Sequence, residues 1–442
     1  MRITRGVLAL ILALAVAQAE IAKLPSAYQS LVDLARAAPP EFTADALLRI
    51  VEQGKFLDKD ARVDLIEDAF RSASAAKFQV RMDGLPGTTT DTASGSLSRA
   101  YALKLDALSL ESRAVRDMLP LDPVKARRMF TDIARPMLPA LTCDDALFYD
   151  LSDYYQALSA VVNGAFSQKE RAKDDHLNFL SNYLGQAASP LELAPVATVI
   201  ESISVTNQQR QGLWAHLGGL METIQADDRS LSAALPALTS MSLPEVQSSL
   251  EKYRQKNHGC EGDSAGSPAN SKTSGAAAGA SPKPRTPKLD SYWQSPNSQQ
   301  LLDPGKKLRF DKNNLPLTDA DRATPEYQQQ VSDYLNQLGG WTPDQEISEA
   351  DYYHEKCTVL MALIELVPLG PDSDKIIADY VNFVGSSNLY QQSPAEWYVE
   401  PRALLNRFQP GTLRTAILEA FQRSGNPVLG LEFTLEKASS RK

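Results

Sequence analysis

The chain has 442 residues, a net charge of -9, 43% apolar and 22% charged residues, proportions that exclude collagen-like and wholly disordered classes. Its acidic balance argues against nucleic acid and anionic lipid as partners, because both repel a negative surface that lacks a basic patch. Lys125 with Arg127 and Arg128 is the longest basic cluster and is too short to supply one.

Arg2 and Arg5 precede an apolar run from Val7 to Ala17, and Ala17-Gln18-Ala19 closes it with the small-x-small pattern of a signal-peptidase site. The run holds roughly 11 residues where a membrane span needs roughly 20. Residues 1–19 are therefore read as a signal peptide, with a mature chain from Glu20 that has no transmembrane segment and is periplasmic or secreted. Removal of the two arginines takes the net charge to about -11.

Residues 20–257 read as one helical domain. Ser26, Thr43, Asp58, Asp122 with Pro123, Ser167, Ser189 with Pro190, Thr206 and Ser242 mark helix starts, and Gly54 marks an end. Leu147, Leu151, Tyr154, Leu158 and Val161 recur at steps of three and four, which predicts a helix over 144–166 with Thr142 as its N-cap. Residues 82–92 have no helical period and read as a loop or one short strand; Val80 and 431–435 are the other strand candidates. Starts spaced by about 38 residues per pair suggest helical repeats, although only Trp214, Leu217 and Gly218 match a tetratricopeptide opening. The expected fold is all-α, an irregular α-solenoid or multihelical bundle.

Cys143, Cys260 and Cys357 allow three pairings. Cys143 with Cys260 is favoured, because Cys357 falls within an apolar helical stripe where a small buried hydrophobe is the usual occupant. From Glu261 to Lys288 the composition becomes Gly, Ala, Ser, Pro, Lys and Thr without a large apolar residue. Residues 258–291 are therefore expected to be a disordered linker. Residues 292–442 form a second helical domain, with helices expected over 325–338, 344–366, 373–384, 394–408 and 412–423. Tyr292 and Trp293 are expected to be its first ordered residues, docking on it.

The site-like cluster lies in this second region. His354 and Cys357 are three apart on one helix, a spacing that suits two metal ligands or a Cys-His nucleophile pair. The same positions belong to a stripe of Ile347, Ala350, Met361 and Ile364, so packing accounts for them as well. Two ligands do not close a metal site, and no metal or cofactor is expected. Asp351, His354, Glu355, Glu396 and Glu400 are the candidates for acid–base chemistry, with Trp397, Tyr398, Tyr380 and Tyr390 beside them as stacking or core residues. Asp174, Asp175 and His176 follow Lys169, Arg171 and Lys173, so i,i+4 pairs such as Arg171 with Asp175 explain them. Ser74 and Lys77 fit a Ser-x-x-Lys spacing without its companion motifs. There is no Gly-x-Ser-x-Gly, His-Glu-x-x-His or phosphate-loop motif.

Leu141-Thr142-Cys143-Asp144-Asp145-Ala146, with Tyr253, Arg254 and then Cys260, resembles a group of exported all-helical bacterial proteins of unassigned function. The resemblance covers about the first 260 residues. It implies the Cys143–Cys260 pairing and no activity. The sequence thus leads to an exported, non-enzymatic interaction or scaffold protein with a protein partner. The alternative is a carboxylate-dependent hydrolase or lyase acting on envelope glycans or peptides.

Overall fold

The computed structural model describes residues 26–54, 57–84, 93–135, 137–225, 227–241, 246–257, 259–260, 308, 310–340, 348–366 and 370–439. The expected signal peptide, the linker apart from Gly259 and Cys260, Tyr292, Trp293, His258 and the Ser242 helix start lie outside them. Among the described residues the chain is all-α except for one two-stranded sheet, in which Met82–Gly84 pairs antiparallel with Leu147–Tyr149. No helix among them is long and apolar enough to cross a membrane.

Side chains at the expected boundaries make the expected caps. The Asp58 carboxylate accepts from the Ala61 amide at the head of Lys59–Ala73, and Asp122 accepts from Lys125 ahead of Pro123–Asp132. Ser167 with Glu170 and Thr206 with Gln209 form reciprocal capping boxes. In each case one orphan amide of the first turn gains an acceptor.

Four readings are corrected. Thr43 lies inside the Pro40–Gln53 helix, where its hydroxyl donates to the Ala35 carbonyl and ties down the end of the preceding helix. Thr142 caps no helix: its amide and hydroxyl bond Asp145, and Leu147-Phe148-Tyr149 pairs as a strand before the helix begins at Ser152. The aromatic and apolar side chains of that triplet suit a pleated edge. Leu431 to Leu435 are helical, within Pro427–Ser439. Arg171 bonds the carbonyls of Val162, Asn163 and Phe166 rather than pairing with Asp175, and left-handed Asp174 breaks the helix between them.

Helices stack in chain order, some of them past an intervening helix. Pro40–Gln53 packs on Lys59–Ala73, which packs on Ala107–Met118, which packs on Ser152–Gly164. Beyond the 258–291 segment, Glu349–Leu366, Pro371–Ser386, Thr412–Arg423 and Pro427–Ser439 follow the same rule. The two sides also pack on each other. Ser26–Arg36 lies against Pro427–Ser439, and Ala93–Ala102 against Pro394–Arg407. One core of mainly early residues includes Leu431 and Leu435, and the other, of mainly late residues, includes Phe42, Ala100 and Leu105. Each core therefore takes residues from both sides of the 258–291 segment.

Cys143 and Cys260 are disulfide-bonded with Cα atoms 5.5 Å apart, closing 117 residues of chain. Arg229 donates to the Cys143 carbonyl, and the Ser232 hydroxyl accepts from the Cys260 amide, so both ends are fixed to the Asp228–Ser240 helix. Cys357 is free and buried.

Candidate functional site

The joint between the early and late helices brings polar groups together in an apolar setting. A serine helix (Ala93–Ala102), a histidine helix (Glu349–Leu366) and a glutamate helix (Pro394–Arg407) meet there. Their mutual position follows from a backbone defect. Pro401 has no amide to donate within its helix, which leaves the Trp397 carbonyl four residues earlier without its regular partner. The Tyr353 hydroxyl fills that place at 2.6 Å. The Trp397 indole donates to the Val384 carbonyl at 2.9 Å, locking the same turn from the other side. Tyr353 and Glu400 each adjoin a residue that matters to the other: His354 follows the tyrosine, and Pro401 follows the glutamate.

That fit places His354 between a serine and two glutamates. Its Nε2 lies 2.6 Å from Ser96 Oγ, and its Nδ1 lies 2.7 Å from Glu400 Oε1. Glu396 Oε1 stands 3.7 Å from Nε2. Ser96 is 0% exposed, and His354 and Glu400 are 1% exposed. Burial pulls the His354 pKa down, but the hydrogen bonds and charges of Glu396 and Glu400 outweigh it, so the net shift is upward from the ordinary imidazole range. Arg99, one turn beyond Ser96, lies 3.5 Å from both Ser96 Oγ and Glu400 Oε1. Its side chain is 38% exposed while its Nε is buried without a hydrogen-bond acceptor. Arg99 thus runs from solvent to the serine.

This is the order of groups that activates a nucleophile: a hydroxyl on one ring nitrogen of histidine and a carboxylate on the other. With His354 neutral, Glu400 accepts from Nδ1–H, fixing the tautomer in which Nε2 accepts the serine proton. With His354 protonated, both nitrogens donate, and the imidazolium becomes a buried cation held by Glu400.

The candidates named from sequence do not all join this group. His354, Glu396 and Glu400 meet; Asp351 and Glu355 are buried on the histidine helix, and neither oxygen of Asp351 has a hydrogen-bond partner. Cys357 is buried in the core, which pushes its thiol far above the ordinary range. A thiol held protonated is neither ligand nor nucleophile. No group of three or more His, Cys, Asp or Glu side chains among the described residues is placed to hold a metal ion. Trp397, Tyr398 and Tyr380 are buried packing residues, with Phe42 set edge-on to Trp397 and Tyr398. His176 is buried against Phe166, and burial lowers its pKa. Ser74 ends a helix and donates to the Arg71 carbonyl.

Sequence reasoning missed Ser96 and Arg99. Ser96 stands in Ser94-Gly95-Ser96-Leu97-Ser98, where nothing local distinguishes one hydroxyl from the next. Its partner is 258 positions away, and only the closure of the late helices onto the early ones selects it. No protein-family model matches the chain, and no curated protein or solved structure does either.

Proposed function

We propose that the protein is a serine-dependent acyl hydrolase, exported to the cell envelope or exterior, that cleaves carboxylic esters or amides. One observation carries the reading: Ser96, His354 and Glu400 form a continuous hydrogen-bonded chain through both imidazole nitrogens. In the first step Ser96 Oγ attacks the acyl carbon as its proton passes to His354 Nε2, and Glu400 stabilises the resulting imidazolium. The Arg99 guanidinium, 3.5 Å from Ser96 Oγ, is the cation available to stabilise negative charge that develops on oxygen. His354 then protonates the leaving alcohol or amine. A water molecule repeats the sequence on the acyl-serine, releasing the carboxylic acid and restoring the hydroxyl.

The carboxylates read from sequence take supporting parts in this account. Glu396 and Glu400 both lie on His354, so neither stands alone as the acid or base of a glycosidase. Export is supported by the N-terminal pattern of Arg2 to Ala19 and by the Cys143–Cys260 disulfide.

Hydrolysis of a panel of p-nitrophenyl esters of rising acyl length tests the proposal. Ser96→Ala is expected to lower kcat/KM by roughly three orders of magnitude or more, and Glu400→Gln by roughly two to four. Equal rates in wild type and Ser96→Ala would refute it. A second reading, a helical scaffold that binds a protein partner without turnover, is favoured by an open groove along the Pro325–Gly340 helix. Capture of one partner by wild type and Ser96→Ala alike, with no ester cleaved, would support the scaffold instead.

A further inference from the structure

Arg99 and Glu396 bring opposite charges to the serine, and only one of them is engaged. The Arg99 guanidinium stands 3.5 Å from both Glu400 Oε1 and Ser96 Oγ. Glu396 has no such neighbour: among the described residues, His354 is the only basic side chain within ion-pair distance of it, with Nε2 3.7 Å from Oε1. Glu396 is also the carboxylate on the ring that reaches solvent, its side chain being 13% exposed against 1% for Glu400. Asp351 stands three residues before His354 and so on the same side of their helix. It is buried, and neither of its oxygens accepts a hydrogen bond. A cation arriving on this side meets acceptors whose bonding capacity the fold leaves unused.

His354 Nε2 fixes where a leaving group sits. As Ser96 Oγ holds the acyl carbon and the old C–O or C–N bond breaks, Nε2 hands its proton to the departing oxygen or nitrogen, which lies within about 3 Å of it. The departing atom is then no more than about 7 Å from Glu396 Oε1. An ammonium two carbons beyond that atom spans the gap and meets the carboxylate. Once Nε2 has given up its proton, His354 is neutral, and Glu396 has no cationic partner among the described residues. A positively charged leaving group supplies one at that moment, whereas an anionic one is repelled.

Resting on the hydrolase reading, we infer that the substrate is an ester or amide whose leaving group carries a positive charge a short chain beyond the scissile bond, as in esters of amino alcohols and amides of diamines, and that Glu396 receives that charge. Butyrylcholine and 3,3-dimethylbutyl butyrate test this, because they share a shape and differ only in a quaternary nitrogen against a quaternary carbon. In wild type, kcat/KM for butyrate release is expected to be about tenfold higher for the choline ester, the scale of a partly screened ion pair. In Glu396→Gln the two esters should be cleaved about equally. The ratio is taken within each enzyme, so any change that the substitution makes at His354 cancels. Choline should also inhibit cleavage of p-nitrophenyl butyrate by wild type at about one tenth of the concentration that 3,3-dimethylbutanol requires. Equal kcat/KM for the two esters in wild type would overturn the inference and leave the hydrolase reading standing. So would a preference for the cation that persists undiminished in Glu396→Gln. Release of butyrate from neither ester by wild type, or equally fast release by Ser96→Ala, would remove the hydrolase reading itself and the inference with it.

Discussion

At His354 the two protonation states make opposite demands. As an imidazolium it is paired with Glu400 and near Glu396, and because its folded pKa lies above the unfolded value of about 6.5, the stabilisation is complete below that pH. It is lost as pH rises through the folded pKa. As a base toward Ser96 the ring must be neutral, so reactivity appears only as pH rises through that same value. The rate of ester cleavage is therefore expected to climb with pH above about 6.5 while the His354 contribution to stability falls. A rate that is highest under acid conditions and falls across that range would contradict the role of His354 as base. Glu400→Gln should bring the midpoint of the rate profile down toward the ordinary imidazole range, since it removes one of the groups that raise it.

Elements were legible from sequence where a local cause sufficed. Asp58, Asp122, Ser167 and Thr206 sit where their helices start, because a cap bonds only to residues two or three positions on. Leu147-Phe148-Tyr149 was misread because its spacing also fits a helix, and its strand partner at Met82–Gly84 is more than sixty residues away. Ser96 was illegible for the same reason on a larger scale. Among elements, the disulfide carries the clearest energetic consequence: it closes 117 residues and ties the strand segment to the Asp228–Ser240 helix. Replacing Cys143 and Cys260 together by serine should lower the free energy of unfolding by about 2–5 kcal/mol. A chemical denaturation midpoint unchanged by the double substitution would show that the crosslink does not constrain the unfolded chain.

At the scale of the molecule, the site exists only because early and late helices share cores. Phe42 sits edge-on to Trp397 and Tyr398, and Arg49 pairs with Glu432 at 2.8 Å. These contacts hold the Pro40–Gln53 helix against Pro394–Arg407, which carries Glu400, and Pro427–Ser439. One cooperative unfolding transition is expected by calorimetry, and Phe42→Ala should destabilise it by about 3–5 kcal/mol. It should also slow ester cleavage while leaving Ser96 and His354 chemically intact. Two separate transitions, with only the earlier residues affected by Phe42→Ala, would show that the halves fold independently.

Burial sets the form of the decisive measurement. Ser96 is fully buried, so a reagent must wait for local opening before it meets the hydroxyl. A fluorophosphonate transfers its phosphonyl group to an activated serine oxygen and releases fluoride, and peptide mass mapping then locates the adduct. One adduct is expected, on Ser96, forming at a rate that saturates as reagent concentration rises. The His354→Asn variant is expected to stay unlabelled. Intact protein that stays unlabelled, or an adduct on another serine that persists in Ser96→Ala, would contradict this expectation.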